Sequence, residues 1–265
     1  MKEYVQTNRK KLLIFIGGLI GIVLLLMPMN TRHLEVEYET TPQVNLDSQK
    51  EITVEEQIDY TLIEKSNSIK FFANTFLIDE NVLINKLREN YQVLNYLNDS
   101  ENFDMIVLNY LISLENTDKT LFNSTRIANT MNKDYIVKVL RYFCNLYPNV
   151  DFSIAAGIAQ IESGFTSEYM LYKNNIYGGM YSGGLIGYKT IEYGVLKYVI
   201  LLNDGYFSKG HNTIDAIGKI FNPTLNDEGI KVAKPIWVNN VTNAMNEFIN
   251  VEYVDTNVLI GLKNT

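Results

Sequence analysis

The sequence predicts a mainly α-helical protein with one small β-hairpin, carried behind a single transmembrane helix. Three observations predict this. Apolar residues recur at three-to-four spacing between capping residues over most of the chain after residue 51. Residues 178–187 hold Gly178, Gly179, Gly183, Gly184 and Gly187, which break the chain into short extended pieces, and Ser182-Gly183-Gly184 reads as a hairpin turn. Residues 12–30 carry no charge.

That uncharged stretch, LLIFIGGLIGIVLLLMPMN, is long enough to cross a hydrocarbon core of roughly 30 Å. It exceeds the apolar region of a secretory signal, and no small-residue cleavage site comes after it. Lys2, Arg9, Lys10 and Lys11 precede it, so residues 1–11 are expected in the cytoplasm and everything after residue 30 outside the membrane. Residues 31–50 are polar and interrupted by Thr40, Thr41 and Pro42, as expected of a tether.

Composition narrows the partners. Hydrophobic residues make up 46% of the 265, enough for a core and too many for a disordered chain. Of the formal charge of −7, residues 1–11 carry +3, which leaves −10 on the remainder and argues against a nucleic-acid or anionic-lipid surface. Cys144, alone in its type, cannot form an internal disulfide and reads as a buried small hydrophobe within YIVKVLRYFCNLY. With only the histidines His33 and His211 and no combined Cys, His and acidic pattern at metal-ligand spacing, no metal site is expected, and no cofactor either.

Residues 51–125 read as helical. Asp79 is the expected N-cap of a helix carrying Val82, Leu83, Leu87, Tyr91, Leu94 and Leu97, and a second helix runs from Ile106 to about Asn116. No chemical motif lies here; a separate bundle, an extension of a substrate groove and a platform for a membrane-protein partner all fit. In residues 126–250 a helix is expected over Lys133–Leu146, stopped by Pro148. Thr190 caps another through Asn203, and Thr213 to Phe221 forms a third, broken at Asn222-Pro223. Pro235 opens a last helix with Trp237, Val238, Val241, Met245 and Phe248 on one stripe, a spacing that favours the core for Trp237 over a sugar platform. Residues 251–265 show no clear role.

The chemistry centres on Glu162. From Ser153 to Ile161 the residues are small or apolar apart from Gln160, with Ser153 as the expected N-cap and Gly164 just past the end. The helix delivers Glu162 in its last turn. A carboxyl at the negative end of a helix macrodipole, among apolar residues, is an arrangement that suits a proton-donating acid. A solvated glutamate at a helix end is the bland alternative. Beyond it, Tyr169, Tyr172, Tyr177 and Tyr181 surround Asn174 and Asn175; rings stack on sugar faces and amides bind acetamido and hydroxyl groups, although tyrosines at this density also build cores.

IAQIESGF, NNIYGG and GYKTIEYGVLKYVILL, taken together over roughly residues 135–248, resemble the glucosaminidase motifs of glycoside hydrolase family 73, within the lysozyme-like superfamily. The likeness is nearest to the membrane-anchored members of Gram-positive bacteria. It implies a lysozyme-like catalytic domain over 126–250, with Glu162 as general acid. The implied substrate is the glycan strand of peptidoglycan, cut at a β-1,4 bond after N-acetylglucosamine. Ser163, Phe165, Asn174, Asn175, Tyr177, Tyr181, Tyr188 and Phe221 are the implied substrate-binding positions.

Two departures stand out. Many relatives carry a second carboxylate on the hairpin, yet no Asp or Glu lies between Glu168 and Glu192. Phe221 occupies a position where relatives usually have a tyrosine; it stacks but cannot donate a hydrogen bond. A lytic transglycosylase, in which one Glu acts first as acid and then as base, therefore stays open beside the hydrolase. So does a cell-wall binding or scaffold protein without activity, against which the intact Glu-Ser-Gly-Phe argues.

Overall fold

A computed structural model of the chain describes residues 54–90, 93 and 101–264. The expected cytoplasmic end, transmembrane helix and tether, and the helical positions Tyr91, Leu94 and Leu97, lie outside the described residues. The chain divides near residue 50, and the unit from Glu51 onward is the one described. It is mainly helical, as expected. Among the described residues no helix is long and apolar enough to cross a membrane.

The first four helices are α1 (Val54–Glu64), α2 (Ser66–Phe76), α3 (Glu80–Glu89) and α4 (Phe103–Thr117). Asp79 caps α3 by accepting from the Val82 amide at 3.1 Å. These helices do not form a bundle of their own. Phe71 of α2 meets Tyr142 edge-on at 5.2 Å, and one hydrophobic core runs through Phe72, Leu83 and Leu111 into Leu140, Ala156 and Val199. The boundary drawn at residue 125 therefore separates no two cores.

Next come α5 (Lys133–Leu146), α6 (Phe152–Ser163) and the short α7 (Glu168–Lys173), then the hairpin of β1 (Met180–Tyr181) and β2 (Gly184–Leu185). Helix α5 has the expected bounds. Helix α6 starts two residues early, because Asp151 rather than Ser153 is its cap: the Asp151 carboxylate accepts from the Ile154 amide at 3.1 Å, and the Ser153 hydroxyl donates to it at 2.6 Å. A carboxylate is the stronger acceptor at a positive helix end. Gly164 closes α6 in the left-handed region at φ 61°. Ser182 and Gly183, at φ 50° and 82°, form the two-residue turn that joins β1 and β2 with both central residues left-handed.

The chain closes with α8 (Ile191–Gly205), α9 (Ile214–Phe221), a second hairpin of β3 (Pro223–Leu225) and β4 (Lys231–Ala233), α10 (Pro235–Met245) and α11 (Thr256–Lys263). The second hairpin corrects the expectation of a single one. Asn226 makes it possible, its side chain accepting from the Glu228 and Ile230 amides at 3.1 and 2.8 Å ahead of a left-handed Gly229. Helix α11 gives a structural role to part of the segment after residue 250: Thr256 and Ser68 share a buried hydroxyl contact of 2.8 Å, which ties this helix to α2.

Two packings set the geometry around Glu162. Helix α10 lies along α6 so closely that a Cβ on Gly157 would come within 2.8 Å of Met245 Cγ and 3.0 Å of the Val241 carbonyl oxygen. Helix α8 lies along α5 and carries the loop of Tyr188 to Thr190 at its start. Thr190 caps it through the Tyr193 amide and donates to the Thr75 carbonyl of α2 at 2.8 Å.

Candidate active site

Glu162 sits in the last turn of α6, half-buried. Its Oε1 accepts a hydrogen bond of 2.9 Å from Nε1–H of Trp237 on α10. Its Oε2 faces the root of the first hairpin, where a Cβ on Gly178 would stand 3.6 Å away. The carboxyl is thus held on one side by a buried ring and met on the other by bare backbone.

Trp237 is 4% exposed, so its place in the core is as expected, and its bond to Glu162 is what sequence reasoning missed. A buried indole N–H needs an acceptor, and here the acceptor lies 75 residues away in sequence. Phe221 stacks on the indole at 5.6 Å and 27°, and Tyr206 flanks Phe221 at 6.5 Å. Phe221 therefore reaches the site by packing on the residue that holds Glu162.

Ser163 explains why the hairpin meets the acid. Its hydroxyl donates to the Ile176 carbonyl at 2.7 Å and accepts from the Phe165 amide at 3.1 Å, which pins the strand ahead of Gly178 to the end of α6. Phe165 is 1% exposed and meets Phe248 edge-on at 5.9 Å, so its ring belongs to the core and not to an open cleft.

Asn174 and Asn175, expected at the sugar, are fully buried and hold backbone instead. Asn174 Nδ2 donates to the carbonyls of Ile127 and Tyr188 at 2.8 and 2.9 Å. Asn175 Nδ2 donates to those of Gly179 and Ile186 at 2.9 and 3.0 Å, across the two legs of the hairpin. Buried carbonyls of an irregular segment need donors, and these two amides supply them. The pair braces the hairpin.

Tyr177 is also buried, stacked on Tyr198 at 4.9 Å, with its hydroxyl paired to that of Tyr188. Burial pushes the phenols of Tyr177 and Tyr188 up, so both stay protonated at neutral pH. Tyr188 is half-buried. Tyr181, on β1, is 79% exposed; of the expected ring positions it is the one that stands free on the hairpin.

The carboxylates flanking the hairpin are elsewhere engaged or displayed. Glu192 is 1% exposed and accepts from the Tyr135 hydroxyl and the Lys263 ammonium, both at 2.7 Å, in the first turn of α8. Its role is to bind α5, α8 and α11 together. Glu168 lies exposed in the first turn of α7. Comparison with family models, with curated proteins and with solved structures finds no match for this chain.

Proposed function

We propose that the protein is a peptidoglycan hydrolase, an endo-β-N-acetylglucosaminidase that cleaves β-1,4 bonds of glycan strands with Glu162 as general acid. The observation that carries this reading is the two-sided setting of the Glu162 carboxyl, with Trp237 at Oε1 and the hairpin root at Oε2. An N–H donor occupies Oε1, so the proton of the acid form is carried by Oε2, on the hairpin side. A glycosidic oxygen lying between the hairpin and α6 would meet that proton. Tyr181, on the same hairpin, offers an exposed ring for a sugar face. With Glu192 locked and no carboxylate over residues 169–191, the second role falls to the substrate's own acetamido oxygen or to a positioned water.

The same lone carboxylate favours a second reading, a lytic transglycosylase whose Glu162 returns as base and leaves an anhydro sugar. The two differ in product.

Trp237 is a positioning residue in either case. Trp237→Phe keeps the stacking on Phe221 and removes the N–H, so kcat on glycan strands should fall by about tenfold while KM changes little. An unchanged kcat in the folded variant contradicts the role.

The activity belongs outside the membrane, with residues 12–30 as a single-pass anchor and the glycan near the membrane as substrate. A reporter fused after Thr265 should be digested by protease added to intact spheroplasts. Protection of the reporter contradicts this topology.

A further inference from the structure

A cavity of about 460 Å³ opens where α4 and the segment after it meet the start of α8, away from the atoms that touch Glu162. Three lysines, Lys119, Lys189 and Lys197, line it against the single carboxylate of Glu115. In a chain whose charge after residue 11 is −10, a cavity with this excess of positive charge is not the general character of the surface.

The charges are arranged unequally. Glu115 pairs with Lys189, both largely buried, and also accepts from the Tyr193 hydroxyl at 2.6 Å, so its oxygens are occupied. Lys197 makes no ion pair among the described residues and rests over the Tyr193 ring at 4.9 Å. Burial pushes the Lys189 ammonium down, Glu115 opposes this, and the charge of Lys197 adds to the downward push. Two ammonium groups therefore share one cavity whose one carboxylate is paired with Lys189, and a second anion would relieve their repulsion. Around them stand ring surfaces from Phe122 and Tyr188 and the side chains of Asn116 and Asn123.

We infer that this cavity binds a saccharide bearing a carboxylate. Rings take the sugar face, the amides take its hydroxyl and acetamido groups, and Lys197 takes the carboxylate. The walls come from both parts of the chain, which gives residues 115–124 a role in recognition. Gly187 and Tyr188 belong to the segment whose other end, at Gly178, meets Glu162, and the Tyr188 hydroxyl touches that of Tyr177. A strand held at the cavity and cut at Glu162 would lie along one braced segment. The inference rests on the glycan reading for the identity of the sugar.

The test uses the full chain carrying Glu162→Gln, so that binding is read without turnover. Isothermal titration compares an N-acetylmuramic-acid-containing tetrasaccharide with the same molecule after reduction of its carboxylates to alcohols, and with inorganic phosphate. The acidic saccharide should bind about tenfold tighter than the reduced one. Lys197→Met should abolish that preference and Lys197→Arg should keep it, with thermal unfolding showing both variants folded. Equal binding of the two saccharides, or a preference that survives Lys197→Met, overturns the proposal. Phosphate binding as tight as the acidic saccharide also overturns it, in favour of a simple anion site. If the unmutated chain fails to cut glycan strands while the Lys197-dependent preference is found, the catalytic reading falls and the binding site stands.

Discussion

Glu162→Gln should lower turnover of glycan strands by about 10²–10⁴-fold with little change in KM and no loss of folding. The substitution keeps the size of the side chain and an oxygen to accept from Trp237 Nε1–H, so the packing of α10 on α6 is retained. The transferable proton is lost. General acid catalysis is worth roughly that factor when the donor is in place. The folded state is checked by thermal unfolding of the same sample. A Gln variant that is folded and cuts at the parent rate shows that Glu162 is not the acid, and a chain that binds strands without turnover in either form is the scaffold.

Gly194→Ala should be the most damaging single change to the fold beneath the site. A Cβ on Gly194 would lie 1.8 Å from the carbonyl oxygen of Asn174, a backbone atom with no rotamer to move. Asn174 cannot yield easily: it caps α7 at φ 55° and its amide is fixed to the carbonyls of Ile127 and Tyr188. Overpacking against backbone costs about 3 kcal/mol or more. In a unit of this size that lowers Tm by about 10 °C. The hairpin brace should loosen with it, so activity should be lost at temperatures where the fold survives. A Tm within about 2 °C of the parent contradicts the close approach.

The features legible in the sequence were local. Asp79 and Thr190 cap their helices as expected, and Thr213 caps the helix expected to begin with it, since a cap and the amide it accepts from lie three residues apart. Gly164 ends α6 as expected for the same reason. The shift from Ser153 to Asp151 is a contest between two local acceptors, settled by charge. The second hairpin escaped because Pro223 reads as a helix terminator, although Asn226 and Gly229 carry the turn signal.

The candidate site was legible only as far as Glu162. The position of Glu162 came from the composition of one helix. Its partner did not, because the Trp237 stripe reads as core, and the ring is core; nothing along the chain tells where its N–H points. Asn174 and Asn175 were misplaced for the opposite reason. Amides suit sugars and buried carbonyls equally well, and only the folded course of residues 174–188 shows that the carbonyls have them. The cavity lysines, Lys119 at one end and Lys197 at the other, are far apart in sequence and became a group only through the packing of α4 on the start of α8.

The central claim, cleavage after N-acetylglucosamine by one helix-borne acid, is tested most directly by mass spectrometry of the products that the full chain releases from purified, peptide-free glycan strands. Fragments with reducing N-acetylglucosamine ends are predicted, each cut having taken up one water. Anhydro ends lacking that water, or reducing ends on the other sugar, would contradict the claim.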